Sequence, residues 1–145
     1  MFKILSTEVK RDILEKELFN PLAGGIVTFE GRVRNHNEGM DVESLEYQCY
    51  QSMAAKEGQK IIDHALKNIS IINAYCVHRE GHLQIGDIAV WIHISSKHRR
   101  EAFLACQYII DEVKLKVPIW KREHYIKKAP EWVACHRCQE HHEHK

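Results

Sequence analysis

The stretch SSKHRREAFLACQYIIDEVKLKVPIWKRE, residues 95–123, decides the class of fold. From about His98 to Lys116 the apolar residues Ala102, Phe103, Cys106, Ile109, Ile110 and Val113 recur at helical spacing, which predicts one long amphipathic helix. Pro118 cannot continue it, because proline lacks the N–H that a helix interior needs. Beyond Pro118, IWKRE reads as extended. On the other side, IAVWIHIS (88–95) reads as a strand with Ile88, Val90, Ile92 and Ile94 facing one way. Strand, helix and strand therefore follow one another.

Working outward, STEVKRDILEKELFNP (6–21) predicts a short helix capped by Ser6 or Thr7 and stopped at Asn20-Pro21, with Val9, Ile13 and Leu14 on one face. GGIVTFEGRVR (24–34) changes to a period of two, with Val27, Phe29 and Val33 opposite Thr28, Glu30, Arg32 and Arg34. VESLEYQCY alternates again after NHNEGMD, so residues 24–50 predict a β-hairpin with a long tip. A helix over Ser52–Lys67, with Ile61, Ile62, Ala65 and Leu66 at helical spacing, and a third strand over SIINAYCVHR (70–79) follow. GHLQIGD (81–87) reads as a connection, and IWKREHYI and EWVAC as short strands. The sum is an α+β fold, largely antiparallel. With 145 residues and no internal linker, residues 1–134 are expected to form one domain, followed by a Cys/His-rich tail at 135–145.

Bulk properties narrow the function. A formal charge of +1 argues against a nucleic-acid binder, whose domains are strongly basic. Five scattered cysteines, no secretory leader at MFKILSTEVKRD and no apolar run of membrane-spanning length predict a cytoplasmic protein with reduced thiols.

Anion recognition must then come from local clusters. Lys97, His98, Arg99 and Arg100 crowd the start of the long helix, where free N–H groups already carry positive partial charge. Stacking cations there opposes the dipole unless an anion binds; a solvated charged turn is the plain alternative. Arg32 and Arg34 share a strand face and could grip phosphate bidentately, or simply be solvated. Lys114 borders the buried face of the helix, where it could merely complement the dipole. Lys121 alternates with Trp120, so if Trp120 packs inward Lys121 points out over the cleft between helix end and sheet. In the tail, Cys135-x-x-Cys138 with His141, His142 and His144 has zinc-ligand residue types without the spacing of a known finger.

In order and spacing, GGIVTFEGRVRNHNEG, LEYQCYQSMA, VHREGHLQIGD, SSKHRREAF and LKVPIWKRE, closing with EW, resemble the large, catalytic subunit of molybdopterin synthase, from about Gly24 to Trp132. The resemblance implies an α/β-hammerhead fold. It implies an enzyme that installs the dithiolene sulfurs of molybdopterin on cyclic pyranopterin monophosphate (precursor Z), with no metal or cofactor needed for the transfer. The sulfur donor it implies is the C-terminal Gly-Gly thiocarboxylate of a small ubiquitin-like subunit, in a heterotetramer built on a central homodimer. By position, Lys114 and Lys121 match the family's two essential lysines and Arg34 the arginine of its VRNHN motif. His98 and Arg99 match a substrate-contacting pair supplied by the neighbouring subunit. Lys97 stands where many members carry a small residue or proline.

The two lysine roles stay interchangeable at this point: Lys114 is assigned to holding the anionic peptide tail, Lys121 to proton transfer. For Lys121, crowding by Arg and His is the expected means of tuning. A non-catalytic phosphate- or pterin-binding module and a zinc adaptor built on the tail are the competing readings.

Overall fold

The computed structural model describes residues 1–126 and 129–135. Among them the elements run β1 (Phe2–Leu5), α1 (Arg11–Glu17), β2 (Gly25–Arg32), β3 (His36–Asn37), β4 (Met40–Cys49), α2 (Gln51–Asn68), β5 (Asn73–Arg79), β6 (Gly81–Gln84), β7 (Ile88–Ser96), α3 (Arg99–Lys116), β8 (Ile119–Tyr125) and β9 (Trp132–Ala134). The α+β class expected from the sequence is the class observed. Two sheets share the strands. One has the order β1-β5-β7-β2, and the other β3-β4-β8-β9 with β6 also paired to β4. Every pairing is antiparallel except β1 with β5.

The first sheet is covered on both faces, which explains why β7 is buried along nearly its whole length. Ile92 and Ile94 pack with Ala102, Ala105, Ile109 and Val113 of α3 and with Ile61, Ile62 and Ala65 of α2. Behind them, Trp91 packs with Val9, Tyr75 and Val77 under Leu14 and Leu18. Fully burying side chains of this size contributes about 1.5–3 kcal/mol each. Gly58 sits inside α2 because the ring of Phe2 lies against it: a Cβ there would meet Phe2 Cδ1 at 2.2 Å.

Several expectations change. Residues 24–50 are not one hairpin: β2 pairs with β7, while β4 pairs with β3, β6 and β8. The ladder of β2 breaks at Gly31/Arg32, and the chain crosses to the second sheet with Val33 buried. A small hairpin survives at the tip, β3 against the start of β4. Its turn residues Glu38 and Gly39 both have positive φ, 50° and 79°, the signature of a tight twisted hairpin. GHLQ is a strand rather than a connection, with Leu83 fully buried. The first helix is only Arg11–Glu17, preceded by Lys10 rather than capped by Ser6 or Thr7, and Ile13 is exposed. Phe103, expected in the core stripe, is 61% exposed. Strand β1 was not foreseen.

Candidate active site

The crossing from one sheet to the other leaves a cavity of about 190 Å³ where they meet the C-terminal end of α3. Arg34, Asn37, Tyr47, Lys114, Lys121 and Glu123 line it. Strand periodicity explains the β8 contribution: Lys121 and Glu123 project to one face, while Trp120, Arg122 and His124 project to the other. Pairing β8 with β4 then sets Lys121 directly opposite Tyr47 and Glu123 opposite Leu45. Trp120 does not pack inward as the condition for an outward Lys121 required. It meets Tyr50 edge-on at 5.7 Å, and Lys121 turns into the cavity. Lys114 reaches the same cavity from the last turn of α3.

The polar contacts form a continuous path. Arg34 Nη2 donates to Asn37 Oδ1 at 3.3 Å, and Asn37 Nδ2 donates to Glu123 Oε1 and to the Tyr125 hydroxyl, both at 3.2 Å. Glu123 Oε1 lies 2.8 Å from Lys121 Nζ. Arg34 and His36 line the same cavity as Lys121, and a carboxylate ion pair with Glu123 is added to the expected crowding. Beneath Lys114, His78 is fully buried, and its pKa is pushed down to about 3. Loss of hydration is the main cause, with the positive charge of Lys114 second; the contact with the Arg79 carbonyl acts the other way. A neutral imidazole therefore supports this corner, its ring edge-on to Tyr47 at 4.8 Å.

Three of the five expected site residues, Arg34, Lys114 and Lys121, meet here. Arg32 also borders the cavity, but its guanidinium is bound to Glu30 at 2.9 Å, and Glu30 also pairs with Arg11. His98 and Arg99 lie at the opposite end of α3, separated from Lys114 by about 22 Å of helix. Lys97, His98, Arg99 and Arg100 are all exposed, and among the described residues none of them forms an ion pair. The backbone N–H of His98 donates to Ser96 Oγ at 3.4 Å. Asn37, Tyr47 and Glu123 were missed as site residues; the alternation of β8 could have flagged Glu123 beside Lys121. Of the tail, Cys135 is buried against the main core, and the rest of the zinc reading falls on residues 136–145, outside the described residues.

The model of the family described as MoaE protein matches residues 5–116. The chain belongs to the MoaE family. A molybdopterin synthase catalytic subunit from Pyrococcus abyssi is 50% identical over 100 residues, 69% of this chain and 68% of the relative. One from Staphylococcus carnosus is 38% identical over 136 residues, 94% of this chain and 90% of that one. Among solved structures, molybdopterin synthase from Staphylococcus aureus superposes with a TM-score of 0.83 at 38% identity, over 91% of this chain and 96% of that chain. This MoaE-family chain thus shares its fold with a solved enzyme along nearly its whole length.

Proposed function

We propose that the cavity between the two sheets is where this chain carries out the sulfur transfer of a molybdopterin synthase catalytic subunit, an enzyme of molybdenum cofactor biosynthesis. The observation that carries the reading is the convergence of Arg34, Lys114 and Lys121, from β2's exit, α3 and β8, on one cavity. The substrate is cyclic pyranopterin monophosphate. The donor is the thiocarboxylate at the Gly-Gly terminus of a small ubiquitin-like subunit, bound at each end of a central dimer of this chain.

Chemistry assigns the roles. The sulfur must form a bond to a pterin side-chain carbon as a carbon–oxygen bond there breaks. The oxygen leaves with the phosphate when the cyclic ester opens, or as water. Two anions therefore approach each other. The Lys114 ammonium offsets that repulsion and orients the thiocarboxylate. Water then cleaves the acyl–sulfur bond and returns the tail as a carboxylate. Lys121 and Glu123, a donor and an acceptor 2.8 Å apart, move protons at the pterin side chain. Arg34 holds the phosphate together with His98 and Arg99 of a second copy, because within one chain those two lie a helix length away. Free thiols at Cys49, Cys76 and Cys106 fit a reducing, cytoplasmic setting. No helix among the described residues is long and apolar enough to cross a membrane.

A purely phosphate-binding module would gain nothing from an acid against its cation, so Glu123 favours catalysis. The decisive assay mixes the purified chain with thiocarboxylated small subunit and precursor Z. Dithiolene product supports the reading; tight binding of the pterin with no product would establish the binding module instead.

A further inference from the structure

The face of β6, β4 and β8 that points away from the cavity carries a second constellation. Glu46 on β4 stands directly opposite His82 on β6 and Arg122 on β8, and His124 is one step along β8 on the same face. Glu46 Oε1 lies 2.7 Å from His124 Nε2 and 3.9 Å from His82 Nδ1, and the three potential ligand atoms fall within 4.8 Å of one another. We propose that Glu46, His82 and His124 form a divalent transition-metal site of two imidazoles and one carboxylate, separate from the sulfur-transfer cavity.

The geometry needs side-chain adjustment but no backbone movement to be assumed. Ligands at ordinary zinc distances of about 2.0–2.2 Å sit roughly 3.3–3.5 Å apart around a tetrahedral ion. His124 must retreat from Glu46 by about 0.7 Å, and ligand atoms up to 4.8 Å apart must draw together by as much as about 1.4 Å, which side-chain rotations supply. Glu46 and His124 are each 27% exposed and His82 49%, so an ion can enter and a water can complete the shell. Arg122 donates to the same Glu46 oxygen at 2.9 Å and stacks over Trp132 at 4.6 Å. Ligating carboxylates are commonly hydrogen-bonded in turn, as Glu46 is by Arg122. The guanidinium also repels a cation, which limits affinity without closing the site. Imidazole with carboxylate suits zinc and its neighbours rather than magnesium or calcium.

The consequence is mechanical. β4 and β8 present Tyr47, Lys121 and Glu123 on their other face, so an ion clipping β6, β4 and β8 together steadies one wall of the cavity. Binding only to the folded chain raises stability.

The test uses the full chain, because residues 136–145 hold competing ligand types. Zinc chloride is titrated calorimetrically into wild type, His82→Ala, His124→Ala and the double variant. Bound zinc is counted after dialysis, and thermal unfolding is measured with and without the ion. The expected result is one equivalent fewer in the double variant, affinity at that site at least tenfold weaker in each single variant, and a zinc-induced rise in melting temperature confined to wild type. Unchanged folding is checked by circular dichroism, with His82→Gln and His124→Gln as replacements for any variant that misfolds. Equal zinc in wild type and double variant would assign binding to the tail and overturn the proposal. No zinc in wild type would leave Glu46, Arg122 and His124 an ion-pair network and overturn it equally. Neither result touches the sulfur-transfer reading, which the product assay tests.

Discussion

The two ends of α3 are built for different situations. At its C-terminal end Lys114 enters a walled cavity with Lys121, Glu123, Asn37 and Arg34, supported from below by buried His78. At its N-terminal end Lys97, His98, Arg99 and Arg100 stand in solvent, unpaired with any acid among the described residues, beside exposed Phe103 and Leu104. Cationic side chains and apolar ones left open at the same corner are suited to a docking partner as well as to an anion. If the proposed roles hold, one chain carries both halves of the site but cannot bring them together. A symmetric pair can, with the N-terminal end of one α3 completing the cavity of the other.

The sharpest challenge removes the C-terminal half. Lys114→Ala and Lys121→Ala should each lower sulfur transfer by about 10²–10⁴-fold. Lys114→Ala should change stability by no more than about 0.5 kcal/mol, whereas Lys121→Ala strands the largely buried Glu123 carboxylate and should cost about 1–3 kcal/mol. Lys→Arg at both positions keeps the charge but not its placement. Near-normal turnover in both arginine variants would defeat the account of positioned lysines.

Mixing variants tests the division between chains directly. Lys114→Ala chains and Arg99→Ala chains, each nearly inactive alone, should recover about a quarter of wild-type activity after random exchange in a two-fold dimer. Half the dimers are then mixed, and each mixed dimer contains one intact site. If Lys114 and Arg99 served the same chain's cavity, mixing would restore nothing.

A third variant disturbs the N-terminal end alone. Gly24 lies against the backbone just before α3, and a Cβ there would sit 2.4 Å from the Lys97 carbonyl oxygen. Backbone cannot swing aside as a side chain can. Gly24→Ala should therefore cost about 1–3 kcal/mol, as overpacking does, and displace His98 and Arg99. Denaturant unfolding measures the first effect. A raised KM for the pterin with little change in kcat measures the second, and an unchanged KM would remove the N-terminal corner from substrate binding.

What the sequence revealed follows the same divide. The long helix was legible because an apolar stripe and Pro118 fix its face and its end. Lys114 and Lys121 were legible as candidates because they flank that stop. Pairing was not legible: a period of two tells which side chains share a face, not which strand lies alongside. Hence residues 24–50 read as one hairpin although β2 and β4 belong to different sheets. Four-residue strands such as FKIL and GHLQ are too short for any periodicity to register. Phe103 fitted the stripe by spacing, yet at that end of α3 nothing among the described residues covers it. Glu123 was passed over because a carboxylate beside a lysine reads as surface decoration until the cavity is seen.

The smallest effect separates His78, buried beneath Lys114, from exposed His98 at the other end of the helix. Burial lowers the folded-state pKa of His78 to about 3, against the ordinary 6.5 of an unfolded chain. Between those values the unfolded state binds the extra proton, so stability rises with pH. The neutral imidazole's contribution is complete above pH 6.5 and is lost as the solution is acidified toward pH 3. The slope reaches about 1.4 kcal/mol per pH unit for one such proton. His93, also lowered by burial, adds in the same direction, so the wild-type slope does not belong to His78 alone. Glu30 and Glu46, held low by their hydrogen bonds, lose their contributions only below their ordinary 4.5. The window from pH 5 to 6.5 therefore excludes these carboxylates, and the partly buried N-terminal amine, also lowered by loss of hydration, is common to wild type and variant. His78→Gln should flatten the stability profile there by up to one proton's worth, measured by urea unfolding at several pH values. His98→Gln should leave stability within about 0.5 kcal/mol while weakening pterin binding. An undiminished slope in His78→Gln would mean that the imidazole takes up its proton inside the fold, and that Lys114 does not rest on a neutral floor.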